Sequence, residues 1–276
     1  MKSPVDDTPG YVKEAVVREK ASSAFVAALK NVFVEVSSLT LFTVRFFKEV
    51  LKPPYEFGEL MKQSFLIGYK SLPLVSVTAF IMGLVMTIQS RPTLVKFGAE
   101  SWLPAMVAVS TIREIGPVIT ALICAGRVGS GIGAELATMK VTEQIDAMTV
   151  SGINPFKYVV VVRILAATLM IPVLAVFADV ASLFGSFLAN NLKGEVSFQL
   201  YVLQVFQGLT FTDLMPAVIK TFFFGFAIGL VSCYQGYNAG EGTQGVGRAA
   251  NSAVVMSSFI IFIIDMIAVQ ITSFFP

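Results

Sequence analysis

The chain has 276 residues, 55% of them hydrophobic and 14% charged, with a formal net charge of +2. Soluble domains carry about 25% charged residues, so the composition excludes an ordinary soluble protein and points to an all-α integral membrane protein. No basic cluster with interleaved aromatics marks a nucleic-acid binder, and the absence of histidine removes Ser-His-Asp and Cys-His catalysis and imidazole metal sites.

Residues 1–21 are polar and mixed in charge, and the first twenty show no apolar core of a signal peptide. From Ser22 to Leu51 the pattern is helical: Phe25, Leu29, Val32, Phe33, Val36, Leu39, Phe47 and Val50 share one arc, and Lys30, Arg45, Lys48 and Lys52 the other. That pattern predicts a helix lying in the membrane surface, closed by Pro53-Pro54. Residues 1–21 thus read as a tail, 22–65 as an interfacial helix and linker, and 66–276 as a membrane domain.

The first spanning helix is expected at Leu66–Gln89, closed by Arg91-Pro92, with Trp102 as an interfacial anchor. The second apolar run, Leu103–Leu136, makes a helix on the order of 50 Å long against a hydrocarbon core of about 30 Å. It must tilt, protrude or bend, and Gly116-Pro117 is the expected bend. Arg113 and Arg127 stand two heptads apart and are expected on nearly one face. Ala125, Gly129, Gly133 and Ala137 recur every fourth position, which lets helix backbones approach closely. Cys124 and Cys233, in apolar runs, read as small buried hydrophobes.

A polar break at 137–160 holds Thr142–Met148, where Val141, Ile145 and Met148 share one helical face and Glu143, Gln144 and Asp146 the other. A third span is expected at Val159–Leu188, a second amphipathic surface helix around Phe198–Leu209, a fourth span at Leu214–Tyr234 and a fifth at Ala253–Phe274. Gly236–Arg248 reads as a flexible glycine-rich connection. Lys48, Lys52 and Lys62 before the first span favour a cytoplasmic N-terminus. With five spans, 137–160 and the glycine-rich loop are then cytoplasmic and 190–213 faces outward.

Charges inside apolar spans are expensive and default to function. Arg113 and Glu114 point about 100° apart on a helix, so one faces a cavity while the other pairs with a neighbouring helix, or both anchor the helix among headgroups. Arg127, Asp179, Lys220 and Asp265 read as structural ion pairs, Asp265 with Lys220 or Arg127; a proton or ion relay is the alternative. Gly240-Glu241-Gly242-Thr243-Gln244-Gly245 matches G-x-G-x-x-G without the preceding strand that a dinucleotide site needs. No Walker A lysine motif occurs, so the chain has no phosphate cradle of its own for hydrolysing ATP. The acidic face of Thr142–Met148 is poor company for an anionic leaflet and favours docking into a groove on a cytoplasmic partner.

At these residues the chain resembles the MlaE-type permease family, the membrane subunits of ABC transporters that work with MCE proteins. The likeness is carried by Arg113-Glu114-Ile115-Gly116-Pro117-Val118, Ala125-Gly126-Arg127-Val128-Gly129, Ala134-Glu135-Leu136 and Val141-Thr142-Glu143-Gln144-Ile145-Asp146-Ala147-Met148. Asn154-Pro155, Arg163, Gly236-Tyr237 and Gly247 continue it. The resemblance implies an N-terminal interfacial helix plus five transmembrane helices, with a short cytoplasmic coupling helix between the second and third. It implies a homodimer in the bacterial inner membrane, a separate cytoplasmic ATPase carrying ATP and Mg, an MCE-domain partner in the periplasm, and phospholipid cargo. This chain itself would be non-catalytic and hold no cofactor. The coupling helix maps onto Thr142, Glu143, Gln144, Ile145, Asp146 and Met148, and the lipid pocket onto Met86, Leu94, Phe97, Arg113 and Glu114. Arg113 is expected to meet a lipid phosphate. The competing reading is an ion-coupled secondary transporter using Asp179 and Asp265.

Overall fold

The computed structural model describes residue 30 and residues 33–53, 55–192 and 196–274. Among the described residues every regular element is helical, and five helices are long and apolar enough to cross a membrane. The chain divides into two compact units at Lys48–Glu49. Residues 33–50 form α1, which ends three residues before Pro53 and exposes Phe33, Val36 and Phe47 of the predicted apolar arc. The tail at 1–21, the arc positions Phe25, Leu29 and Val32, and Pro54 lie outside the described residues.

The second unit is the membrane domain. Its first span, α2 (Phe57–Lys96), is longer than the expected Leu66–Gln89 and does not stop at Arg91-Pro92. A proline inside a span forfeits one backbone bond, which membrane helices tolerate. The stop comes from Gly98, whose φ of 66° is left-handed and whose N–H donates to the Val95 carbonyl. The second span, α3, runs Glu100–Val141. The short helix α4 covers Gln144–Val150, and α5, the third span, covers Phe156–Asn191. An uncharged surface helix, α6 (Phe198–Gly208), starts at Ser197, whose Oγ accepts from the Leu200 N–H at 3.3 Å. The fourth and fifth spans are α7 (Phe211–Tyr237) and α8 (Gly242–Ser273).

Hydrocarbon gives helices no hydrophobic reason to associate, so close backbone approach has to supply the attraction. The α2–α5 pair shows how. A Cβ on Gly83 would stand 1.9 Å from the Ser182 carbonyl oxygen, and one on Gly185 would stand 2.2 Å from that of Phe80. One turn beyond the Gly83–Ser182 contact, Thr87 and Ser186 are hydrogen-bonded at 2.8 Å.

The small-residue stripe of α3 serves the same purpose inside the chain. Gly129 faces Ser232 and Ile228 of α7, and Gly133 faces Ala249 and Ala253 of α8. Ala137 clusters with Ala239 and Ala249, and Ala125 is fully buried. These four positions therefore seat α3 against its own neighbours.

The glycine-rich stretch is a correction. Gly242–Arg248 is the first part of α8, and the connection shrinks to the few residues after Tyr237. A Cβ on Gly236 would meet the Gly133 carbonyl oxygen at 2.7 Å, and one on Gly245 would meet that of Gly240 at 2.0 Å. These glycines allow tight packing rather than flexibility.

Two wide π turns, Thr111–Ile115 and Ala125–Gly129, interrupt α3. The first ends where the Gly116 N–H reaches back to the Thr111 carbonyl. Pro117 follows, and its ring would crowd the carbonyl of Arg113 in a regular helix; the wide turn relieves that crowding. The expected distortion at Gly116-Pro117 is thus a π turn just ahead of it. Each such turn rotates the register by roughly 100°. Arg113 and Arg127 consequently do not share a face: Arg127 donates to Ser71 Oγ of α2 at 3.0 Å, whereas Arg113 faces α7.

Candidate functional site

The first π turn of α3 presents two adjacent charges to different partners on α7. Glu114 turns to α7, where its Oε2 accepts from Lys220 Nζ at 2.8 Å. The same ammonium donates to Asp265 Oδ1 of α8 at 3.0 Å. Lys220 is only 5% exposed, so one buried cation holds three spans together through two carboxylates. Of the two partners open to Asp265 in the sequence, Lys220 is the one it takes.

Arg113 stays 47% exposed. Its nearest acid is Asp213, at 3.6 Å, too long for a good hydrogen bond. Asp213 is fixed by the start of α7: its Oδ2 accepts from the Thr210 N–H at 3.2 Å and from Thr210 Oγ1 at 2.6 Å. This is a reciprocal capping arrangement, and it leaves the other carboxylate oxygen facing the guanidinium.

These groups line an open cavity of about 1100 Å3 between α3, α7 and α8. Its remaining walls are largely apolar, with Met215, Ile219 and Phe223 on α7 and Ile264, Ile267 and Ile271 on α8. The cavity lies toward the α6 end of the bundle, because α6 packs on the start of α3, Gly208 against Ala105. An apolar chamber with one partly free guanidinium at its wall suits a molecule with an anionic group and a greasy body.

Of the residues expected to bind lipid, Arg113 and Glu114 line this cavity, while Met86, Leu94 and Phe97 do not within one chain. Met86 and Leu94 are half-buried and Phe97 is 80% exposed, all near the end of α2, which packs on α5. Lys220 and Asp213 belong to the site although the sequence reading did not place them there. The signal for Asp213 was the Thr210-x-x-Asp213 pattern opening the fourth span, and for Lys220 the lone cation inside that span.

At the opposite end α3 turns into α4. The helix begins at Gln144 rather than Thr142, because Glu143 adopts a left-handed conformation with φ 58°. Thr142 caps back on α3, its Oγ1 donating to the Thr138 carbonyl at 2.8 Å, and Val141 is the last residue of α3. Ile145 is buried and Met148 half-buried, whereas Thr142, Glu143, Gln144 and Asp146 are exposed. Gly152, at φ 79°, ends the segment. The buried Lys157 then donates to the Lys52 carbonyl, and Asn154 donates to Glu49 Oε2 at 3.0 Å. A short helix with its apolar side anchored and its acidic side free stands on a well-fixed base.

The remaining intramembrane charges are structural or separate. Arg163 bonds the Val159 carbonyl at 2.9 Å and Glu135 at 2.8 Å. Asp179 lies against Gly116, and its Oδ1 has no hydrogen-bond partner among the described residues. It does not line the Arg113 cavity and, among those residues, takes no part in the Lys220 ion pairs that hold Asp265.

Comparison with known proteins agrees with this architecture. A sequence profile described as Permease MlaE matches residues 60–271. A probable ABC transporter permease protein of Rickettsia typhi is 40% identical over 236 residues, covering 86% of this chain and 91% of that protein. Another, from Pyropia yezoensis, is 33% identical over 210 residues, 76% of this chain and 80% of that protein. A third, from Synechocystis, is 31% identical over 221 residues, 80% of this chain and 84% of that protein. The chain belongs to the MlaE family of ABC transporter permeases.

Proposed function

We propose that the chain moves phospholipid between the bacterial inner membrane and periplasmic MCE-type carriers, as a homodimer driven by a separate cytoplasmic ATPase. The observation that carries this reading is the division of the molecule. An apolar chamber with the half-exposed Arg113 lies toward one end, and a helix with a free acidic face lies at the other.

A phospholipid needs apolar walls for its tails and a cation for its phosphate, and Arg113 is the guanidinium in the chamber wall with spare donors. Movement is imposed from α4: the ATPase, which holds ATP and Mg, grips Glu143, Gln144 and Asp146. Ile145 and Met148 transmit the displacement into α3, which ends at the base of the same hairpin. The chain contributes no catalysis. The N-terminus and α4 lie in the cytoplasm and α6 faces the periplasm. Met86, Leu94 and Phe97 at the end of α2 complete the lipid site from the second copy. The ion-coupled alternative draws no support from the geometry, because Lys220 engages Asp265 while Asp179 sits in separate surroundings.

Two measurements test the proposal. Asp146→Arg should abolish co-purification of the ATPase; retained association would remove α4 from the coupling role. Arg113→Ala should lower the phospholipid recovered with the purified protein, and wild-type recovery would remove Arg113 from the headgroup site.

A further inference from the structure

A second cavity, of about 410 Å3, lies behind the first. Its walls come from α3, α5, α6 and α7. The volume is within the roughly 300–1,000 Å3 of ordinary small-molecule sites. Ala217 borders both cavities, and neighbouring residues of α3 divide between them: Ile112 lines the smaller one, Arg113 and Glu114 the larger. The π turn of α3 and the first turns of α7 are therefore the partition.

The lining has almost no free hydrogen-bonding capacity. The Tyr201 hydroxyl donates to the Leu183 carbonyl at 3.0 Å, and the Thr221 hydroxyl donates to the Val218 carbonyl at 2.6 Å. Asp179 supplies the polar exception, its Oδ1 without a hydrogen-bond partner among the described residues and tucked against Gly116 on the partition side. Everything else is aliphatic, aromatic or proline.

Helix α6 roofs this cavity. Phe187 of α5 holds it through edge contacts to Phe198 and Tyr201, each with ring centroids 5.3 Å apart. The rim is apolar and exposed: Val176, Val180 and Phe184 on α5, Phe198 and Phe206 on α6, and Leu214 on α7. Because α5 and α7 are spans, that mouth opens sideways into hydrocarbon rather than into water. No charge occurs along α6, which suits a helix lying at the boundary between acyl chains and headgroups.

We propose that this pocket is a lateral binding site for one acyl chain of a bilayer lipid, held under α6 and separated from the Arg113 cavity by the partition at Ile112 and Ala217. The bilayer itself presents the ligand at the mouth, and apart from the Asp179 carboxylate the walls offer a chain only dispersion and apolar contact. The site is independent of the transport proposal, since it requires only lipid around the protein.

The test uses the full-length protein in nanodiscs of phosphatidylethanolamine and phosphatidylglycerol, doped with a phosphatidylcholine that carries a diazirine within one acyl chain. After illumination, labelled residues are mapped by mass spectrometry. We expect labelling of Val205 and Leu183 inside the pocket, in addition to Leu203 on the outer face of α6. Val202→Trp, which fills the pocket from its roof, should abolish the labelling of Val205 and Leu183 and leave that of Leu203 unchanged. Label confined to Leu203 and other outward positions in the wild-type protein overturns the proposal, whether or not the variant folds. So does pocket labelling that persists in a folded Val202→Trp protein. Labelling of Met215 and Ile267 reads the large cavity separately. Its absence beside a labelled pocket counts against the cargo proposal alone, and the reverse pattern counts against the pocket alone.

Discussion

Replacing Lys220 by methionine removes the cation that two carboxylates share while keeping most of the side-chain volume. Its Nζ lies 2.8 Å from Glu114 and 3.0 Å from Asp265. Removing one partner of a buried ion pair costs about 3–5 kcal/mol, most of it the penalty of the charge left behind. Glu114, which lines the open cavity, and Asp265 keep side-chain exposures of 38% and 19%. Solvent there screens the orphaned carboxylates, which lowers the expectation to roughly 2–3 kcal/mol. At about 2–4 °C per kcal/mol for a chain of roughly this size, Tm falls by about 4–12 °C. Thermal unfolding in detergent, followed by helical circular dichroism, measures it. Adding Asp265→Asn to Lys220→Met removes one stranded anion and should recover part of the loss, although Asp265→Asn alone is destabilising. A Lys220→Met protein within about 1 °C of wild type, or a double variant no more stable than the single one, would refute the idea that this cation ties the three spans together.

The packing and strain assignments give further expectations. Gly83→Ala places a methyl against the Ser182 carbonyl and should destabilise by about 3 kcal/mol or more, whereas Gly126→Ala, with open space at its Cβ position, should be near neutral; thermal unfolding of the pair separates backbone contact from helix propensity. Glu143→Gly removes a left-handed non-glycine residue and should stabilise the purified chain by about 1 kcal/mol, read in the same assay; destabilisation would mean that the Glu143 side chain contributes more than its backbone costs. Arg113→Ala should leave Tm nearly unchanged, within about 0.5 kcal/mol of stability, since Arg113 is half exposed and only loosely paired; a large drop in Tm would make Arg113 a structural residue.

Much of this molecule was legible because the membrane makes sequence patterns simple. Five spans, the amphipathic Phe198–Leu209 stretch and the polar turn around Asp146 all follow from apolar runs and their interruptions. Adjacent Arg113 and Glu114 had to diverge on a helix, and they take different partners, Asp213 and Lys220, although both line one cavity. What stayed hidden depends on three-dimensional neighbours. Asp265 had Lys220 and Arg127 as equal candidates until the path of α3 was known, and the π turns that decide it have no periodic signature. Pro92 looked like a stop because a soluble helix would break there, yet the left-handed Gly98 ends α2. The glycines of 236–248 looked like a loop because composition alone does not distinguish a flexible glycine from one pressed against another backbone. The pocket under α6 was invisible for a related reason: periodicity shows which face of a helix is apolar, not whether that face meets solid packing or a void.

The account turns on this chain being a passage driven by a different protein. The most direct measurement is phospholipid transfer from proteoliposomes to an acceptor, made with the chain alone and with its ATPase, with and without ATP and an imposed ion gradient. The account predicts net transfer only when ATPase and ATP are both present, with no effect of the gradient. Uphill transfer by the chain alone under an ion gradient would contradict it.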